Sequence, residues 1–117
     1  MIVRSVGEVR EIVGTSRHGG TGDLHQRRMF ESPELVSHMS IVAWDVLPPG
    51  VAIGVHPHPT EEEIYVILEG SGTMTVDGED RVVTAGDMIL TQPGSSHGLR
   101  NHTHENLTML AVEVKMP

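Results

Sequence analysis

Two imidazoles spaced two residues apart are the first sign of chemistry in this chain. His56 and His58 stand in GVAIGVHPHPTEEEIYVILEG, residues 50–70, where i,i+2 spacing sends both side chains to one face of a strand. Glu63 begins the next strand after a short turn, and a third histidine, His97, follows in GDMILTQPGSSHGLRN. Three nitrogens and a carboxylate oxygen suit one divalent first-row transition ion, whether Fe, Mn, Zn, Ni or Cu. An octahedral ion held by four protein ligands keeps two positions for water, substrate or dioxygen. The plainer reading of His-x-His is a pair of solvent-facing loop histidines beside prolines, and that spacing alone does not choose between the two.

The elements that would position these groups are strands. Residues 38–47, 51–58, 63–69, 73–76, 80–84, 88–91, 98–101 and 107–115 read with period two, and turn residues separate them at short intervals. Asp77-Gly78 is the strongest hairpin signal, and Pro48-Pro49-Gly50 marks another turn. Residues 27–30 read as an edge strand, 14–23 as a loop, and 33–36 as a single helical turn. No stretch carries an apolar 3.6-residue stripe for ten residues. Many short strands at regular spacing predict an antiparallel sandwich or barrel.

The 117 residues allow one domain with a real core and no room for a second. Cysteine is absent, which removes disulfides and thiolate ligands. The formal net charge of -8 repels phosphate backbones, and one Trp, one Tyr and one Phe offer little for base stacking, so nucleic acid is not an expected partner. No run approaches a membrane span, and the N-terminus lacks a basic segment followed by a long apolar one. The expected location is the cytoplasm.

These motifs resemble the cupin superfamily, and within it a small monocupin of the oxalate-decarboxylase-like kind. The first family motif is Gly, five residues, His-x-His, four residues, Glu, six residues, Gly, and Gly50, His56, His58, Glu63 and Gly70 occupy every required position. The second is Gly, five residues, Pro-x-Gly, two residues, His, three residues, Asn. Gly86, Gly94, His97 and Asn101 match it, while Gln92 stands at the proline position and Pro93 one step later. The resemblance implies an all-β, double-stranded β-helix (jelly-roll) barrel spanning residues 1–117. Residues 1–37 would supply edge strands and loop, and about 38–116 the barrel core. It implies that His56, His58, Glu63 and His97 are the metal ligands, and that the protein is a homodimer.

Parity with Glu63 sends Tyr65 and Ile67 toward the metal, with Tyr65 a possible proton donor or a core phenol. Met74, Met88 and Gln92 are further candidates for the substrate pocket. Spacing to Gly70 selects Glu63 over Glu61 and Glu62, which read as solvated turn acids. Asn101 reads as a turn anchor. His102 and His104 read as surface residues, and His18, His25 and His38 carry no assignment. Residues 39, 41, 43 and 45 share one strand face and 40, 42, 44 and 46 the other, without an indication of which lines the cavity. The expected function is a metal-dependent enzyme acting on a small oxygenated metabolite by oxygenase- or decarboxylase-type chemistry. The alternatives are a non-redox lyase, isomerase or polyketide cyclase, and a non-catalytic metal-dependent binding protein.

Overall fold

The computed structural model describes residues 1–117. Its ten strands are β1 (Glu11–Thr15), β2 (Asp23–Glu31), β3 (Met39–Leu47), β4 (Ala52–Pro57), β5 (Glu61–Glu69), β6 (Ser71–Val76), β7 (Glu79–Thr84), β8 (Met88–Thr91), β9 (Ser96–Arg100) and β10 (Leu107–Lys115). They form an antiparallel six-stranded sheet in the order β1-β2-β3-β10-β5-β8 and a four-stranded sheet in the order β4-β9-β6-β7. The only helical turns are 3-10 segments at Val6–Glu8 and Arg17–Gly19.

The alternation along β5 shows why these residues form sheet. Glu63, Tyr65 and Ile67 are buried while Ile64 and Leu68 face outward, so one side of the strand enters the core. On β10, Met109 and Ala111 do the same, with Ala111 paired to Ala43 on one side and Tyr65 on the other. The core between the sheets holds Leu24, Leu47, Ile53, Ile67, Met74, Leu99, Leu107 and Met109, all buried. Between β6 and β7, Asp77 and Gly78 adopt φ of 49° and 80°, the two positive angles of a type I′ hairpin turn.

The expected closed barrel is corrected. No ladder joins the two sheets, and the only pairing outside the named strands is the isolated bridge Thr21↔Ala52. The fold is a jelly-roll-like pair of facing sheets, joined by turns at their corners. At the β3–β4 corner Pro48 and Pro49 have no N–H to donate, so the ladder cannot run through it. Other differences are local. The strand expected at the edge is the longer β2, which lies between β1 and β3. The true edge, β1, is exposed along most of its length and carries no apolar alternation to reveal it. The 33–36 turn closes with Glu34 N–H donating to Glu31 O at 3.0 Å and does not become a helix.

One close approach decides what covers the cavity. The Arg17–Gly19 turn packs its backbone against β4, and a Cβ at Gly20 would collide with Ala52 O, one at Gly54 with His18 O. Gly54→Ala should therefore destabilise the fold by about 2 kcal/mol. Gly7→Ala, with open space around the added methyl, should change stability by less than about 0.5 kcal/mol. Denaturant unfolding of the two variants checks the contrast.

Candidate metal centre

β4 and β9 are antiparallel neighbours with His56 directly opposite His97, so the two rings share one face. His58 lies just past the end of β4, held by its N–H donating to Ser95 O at 2.9 Å and its carbonyl accepting from Gly94 N–H at 2.8 Å. Glu63 reaches across from β5 in the other sheet. The cluster thus spans the sandwich, with imidazoles from one sheet and a carboxylate from the other.

The donor atoms converge. His58 Nε2 lies 3.0 Å from His56 Nε2 and 2.9 Å from His97 Nε2. Glu63 Oε1 lies 3.0 Å from His97 Nε2 and 3.4 Å from His58 Nε2. Ligand atoms bound at right angles about 2.0–2.1 Å from one ion are separated by about 3.0 Å. The rings are oriented from behind. His56 Nδ1 donates to Gly54 O at 2.7 Å, and His97 Nδ1 lies 2.8 Å from Thr91 Oγ1. With Nδ1 carrying the proton, Nε2 of each ring keeps its lone pair. Burial lowers both His56 and His97 to about 4, so both rings are neutral near pH 7. His58 Nε2 faces both of these lone pairs and has at most one hydrogen to give, whereas a cation between the three nitrogens satisfies all of them. The residues fit a metal.

A second set, His58, Glu63 and Glu113, overlaps the first. Glu113 stands opposite Glu63 in the β10–β5 register, and its Oε1 accepts from Ser40 Oγ at 2.8 Å. Burial, with a contribution from Glu113, pushes the Glu63 carboxyl up to about 7, while His58 opposes the shift. Tyr65 is buried with its hydroxyl 3.4 Å from His97 Nε2. Burial, then the nearby Glu63 and Asp45, raise its phenol well above its ordinary range, so it stays protonated. Glu61 Oε2 is 3.7 Å from His58 Nδ1, and Glu62 points outward.

The cluster forms one wall of a cavity of about 380 Å³. Of the pocket residues expected from sequence, Tyr65 lines it and the others do not. Ile67 and Met74 are packed in the core, Met88 is 72% exposed on the outer side, and Gln92 is exposed on a turn. Asn101 is a turn anchor, donating to Leu47 O at 2.8 Å and Glu105 O at 2.7 Å. His102 and His104 are exposed.

Several cavity residues escaped the sequence reading. On β3 it is the face of Ile41, Ala43 and Asp45 that turns inward. Gln26 and Arg28 reach the cavity from β2, and Arg17 from the turn beside it. His18, at φ 52°, lays its ring parallel to His56 with centroids 3.6 Å apart. Glu113 had a signal, since it alternates with Met109 and Ala111. Arg17 and His18 had none, because an irregular turn has no period.

A family model described as "Cupin domain", Cupin_2, matches residues 43–113. A Thermotoga maritima protein described as an oxalate-binding protein is 35% identical over 112 residues, covering 96% of this chain and 92% of its own. The crystal structure of a Thermotoga maritima protein described as a predicted oxalate decarboxylase superposes with a TM-score of 0.94 at 32% identity, covering 99% of this chain and 100% of its own. A Cupin 2 conserved barrel domain protein from Salinispora arenicola gives 0.78 at 29% identity, with 98% and 89% covered. The chain belongs to the cupin superfamily, as a monocupin metal-binding protein related to the oxalate-decarboxylase-like Cupin_2 proteins.

Proposed function

We propose that the protein holds one divalent transition metal on His56, His58, Glu63 and His97 and acts on a small carboxylate of the oxalate class by decarboxylase- or oxygenase-type chemistry. One observation carries this reading: three imidazoles and a carboxylate converge at the wall of a cavity that Arg17 also lines. Arg17 makes no ion pair and no side-chain hydrogen bond, which leaves its charge free for an anion. The descriptions of the Thermotoga maritima matches support oxalate as the first acid to test.

Bound at these four residues, a redox-capable ion supplies Lewis-acid polarisation of a chelating acid and one-electron chemistry. The chain supplies the rest. Arg17 pairs with a substrate carboxylate, and burial of His58, Glu63 and His97 keeps bulk water from the ligands. Tyr65, protonated and facing His97, would donate a hydrogen bond to a bound oxygen. Cleavage of hydrogen oxalate would give one carbon dioxide and one formate, with the proton retained on formate.

A second reading, capture of the acid without turnover, is favoured by the description of one relative as oxalate-binding. Calorimetric titration of manganese-loaded protein with oxalate, followed by assay for formate and carbon dioxide, separates the two. Saturable binding with product supports the enzyme, binding without product supports capture, and no binding overturns the oxalate assignment.

His97→Ala should lower metal occupancy at least about tenfold, and Thr91→Val, which removes only the partner of Nδ1, should weaken affinity by about tenfold. Elemental analysis and metal competition titrations check both. Metal must displace the proton of Glu63, so affinity should be flat above about pH 7 and fall roughly tenfold per unit below it. It should fall more steeply toward pH 4, where His56 and His97 also take up protons. Without metal the signs oppose. The lowered histidines contribute stability that is lost as pH falls from 6.5 toward about 4, and the raised Glu63 contributes stability that is lost as pH rises from 4.5 toward about 7. Titration of metal affinity from pH 5 to 8 tests the metal-linked part.

A further inference from the structure

Asp45 takes no part in the metal cluster. It lies on β3, two strands from Glu63 across β10, and is only 3% exposed. It lines the same cavity as the cluster, yet its Oδ1 is buried without a hydrogen-bond partner. A buried oxygen in that state is rare and destabilising, which makes it a mark of a site that something else completes. Its surroundings point the same way. Gln26 and Arg28 line the cavity from β2, with Arg28 Nε donating to Gln26 Oε1 at 3.2 Å, and the unpaired Arg17 lines it from the adjoining turn.

We propose that Asp45 is a specificity residue of this cavity, accepting a hydrogen bond from a hydroxyl of the ligand, so that the protein selects hydroxy-carboxylates over acids with no hydrogen to give. The inference rests on the carboxylate reading above and deepens it. Arg17, without an ion pair, and Asp45, with one oxygen unpartnered although Gln26 bonds its carboxyl, line one cavity, which calls for a ligand that accepts at one point and donates at another. A carboxylate carrying a hydroxyl does both, whereas the oxalate dianion only accepts. The cavity, at about 380 Å³, lies in the range that takes ligands larger than a two-carbon acid. Burial pushes the Asp45 carboxyl up to about 7, with Glu63 adding to the shift and the Gln26 amide, Arg17 and Arg28 opposing it. At pH 8 the group is mainly ionised and acts as an acceptor.

Malonate and tartronate differ by one hydroxyl and make a matched pair of probes. Manganese-loaded protein would be titrated calorimetrically with each at pH 8, using wild type, Asp45→Leu and Asp45→Asn, with metal content measured in all three. Wild type should bind tartronate at least about tenfold more tightly than malonate, and Asp45→Asn, which keeps an acceptor oxygen, should retain most of that preference. Asp45→Leu should reduce it to about twofold or less, at unchanged metal content, and should unfold at a higher temperature because the orphan oxygen is gone. Asp45→Ala gives the same comparison if the leucine variant does not fold. Equal binding of the two acids by wild type, or a preference that survives in Asp45→Leu and Asp45→Ala, would overturn the role of Asp45 and leave the carboxylate reading standing. Binding of neither acid to metal-loaded wild type would overturn the carboxylate reading and this inference together.

Discussion

Nitrogen lone pairs that point at one another repel, and the centre of this protein brings the Nε2 atoms of His56 and His97 to 3.0 and 2.9 Å from that of His58. His56, His58 and His97 cannot relieve the repulsion by turning, because each is fixed from outside the cluster. Gly54 O and Thr91 Oγ1 hold the far nitrogens of His56 and His97, and backbone bonds to Ser95 and Gly94 hold His58. The β4–β9 register sets the distance between two of the rings. The convergence is therefore held by hydrogen bonds formed outside the cluster, and a cation at the centre would satisfy the facing nitrogens.

The same arrangement draws on both sheets. A carboxylate must approach the imidazoles from the opposite side, and it comes from β5 in the six-stranded sheet. Glu113 beside it on β10 raises the proton affinity of Glu63, so the site carries less negative charge until a metal arrives. A cavity of about 380 Å³ lies beside the cluster. Polar side chains of β2 and β3 line that space without being forced into the packed core.

The metal cluster was largely legible in the sequence, because period-two spacing carries geometry directly. A spacing of i,i+2 between imidazoles means one face, and the spacing to Gly70 separates Glu63 from its two neighbours. The hairpin at Asp77-Gly78 was legible for a similar local reason. What could not be read depends on pairing between distant strands. Glu113 meets Glu63 only through the antiparallel register of β10. The face of Asp45 could not be chosen, because both sides of β3 mix small, apolar and polar residues. Met88 and Gln92 looked suitable by composition, yet both turn toward solvent. Closure into a barrel is a long-range property that a count of strands does not contain.

The Arg17–Gly19 turn divides responsibilities along the chain. The segment matching the family model begins at residue 43, so the cluster and its supporting strands fall inside it. Arg17, His18, Gln26 and Arg28 fall before it, on the β1–β2 hairpin and its connecting turn. This stretch touches His56 through the stacked ring of His18 and brings Arg17 and Arg28 to the cavity wall. The four candidate ligands and much of the wall around them thus belong to different stretches of chain. A substitution at Arg17, Gln26 or Arg28 alters the wall without replacing any of the four.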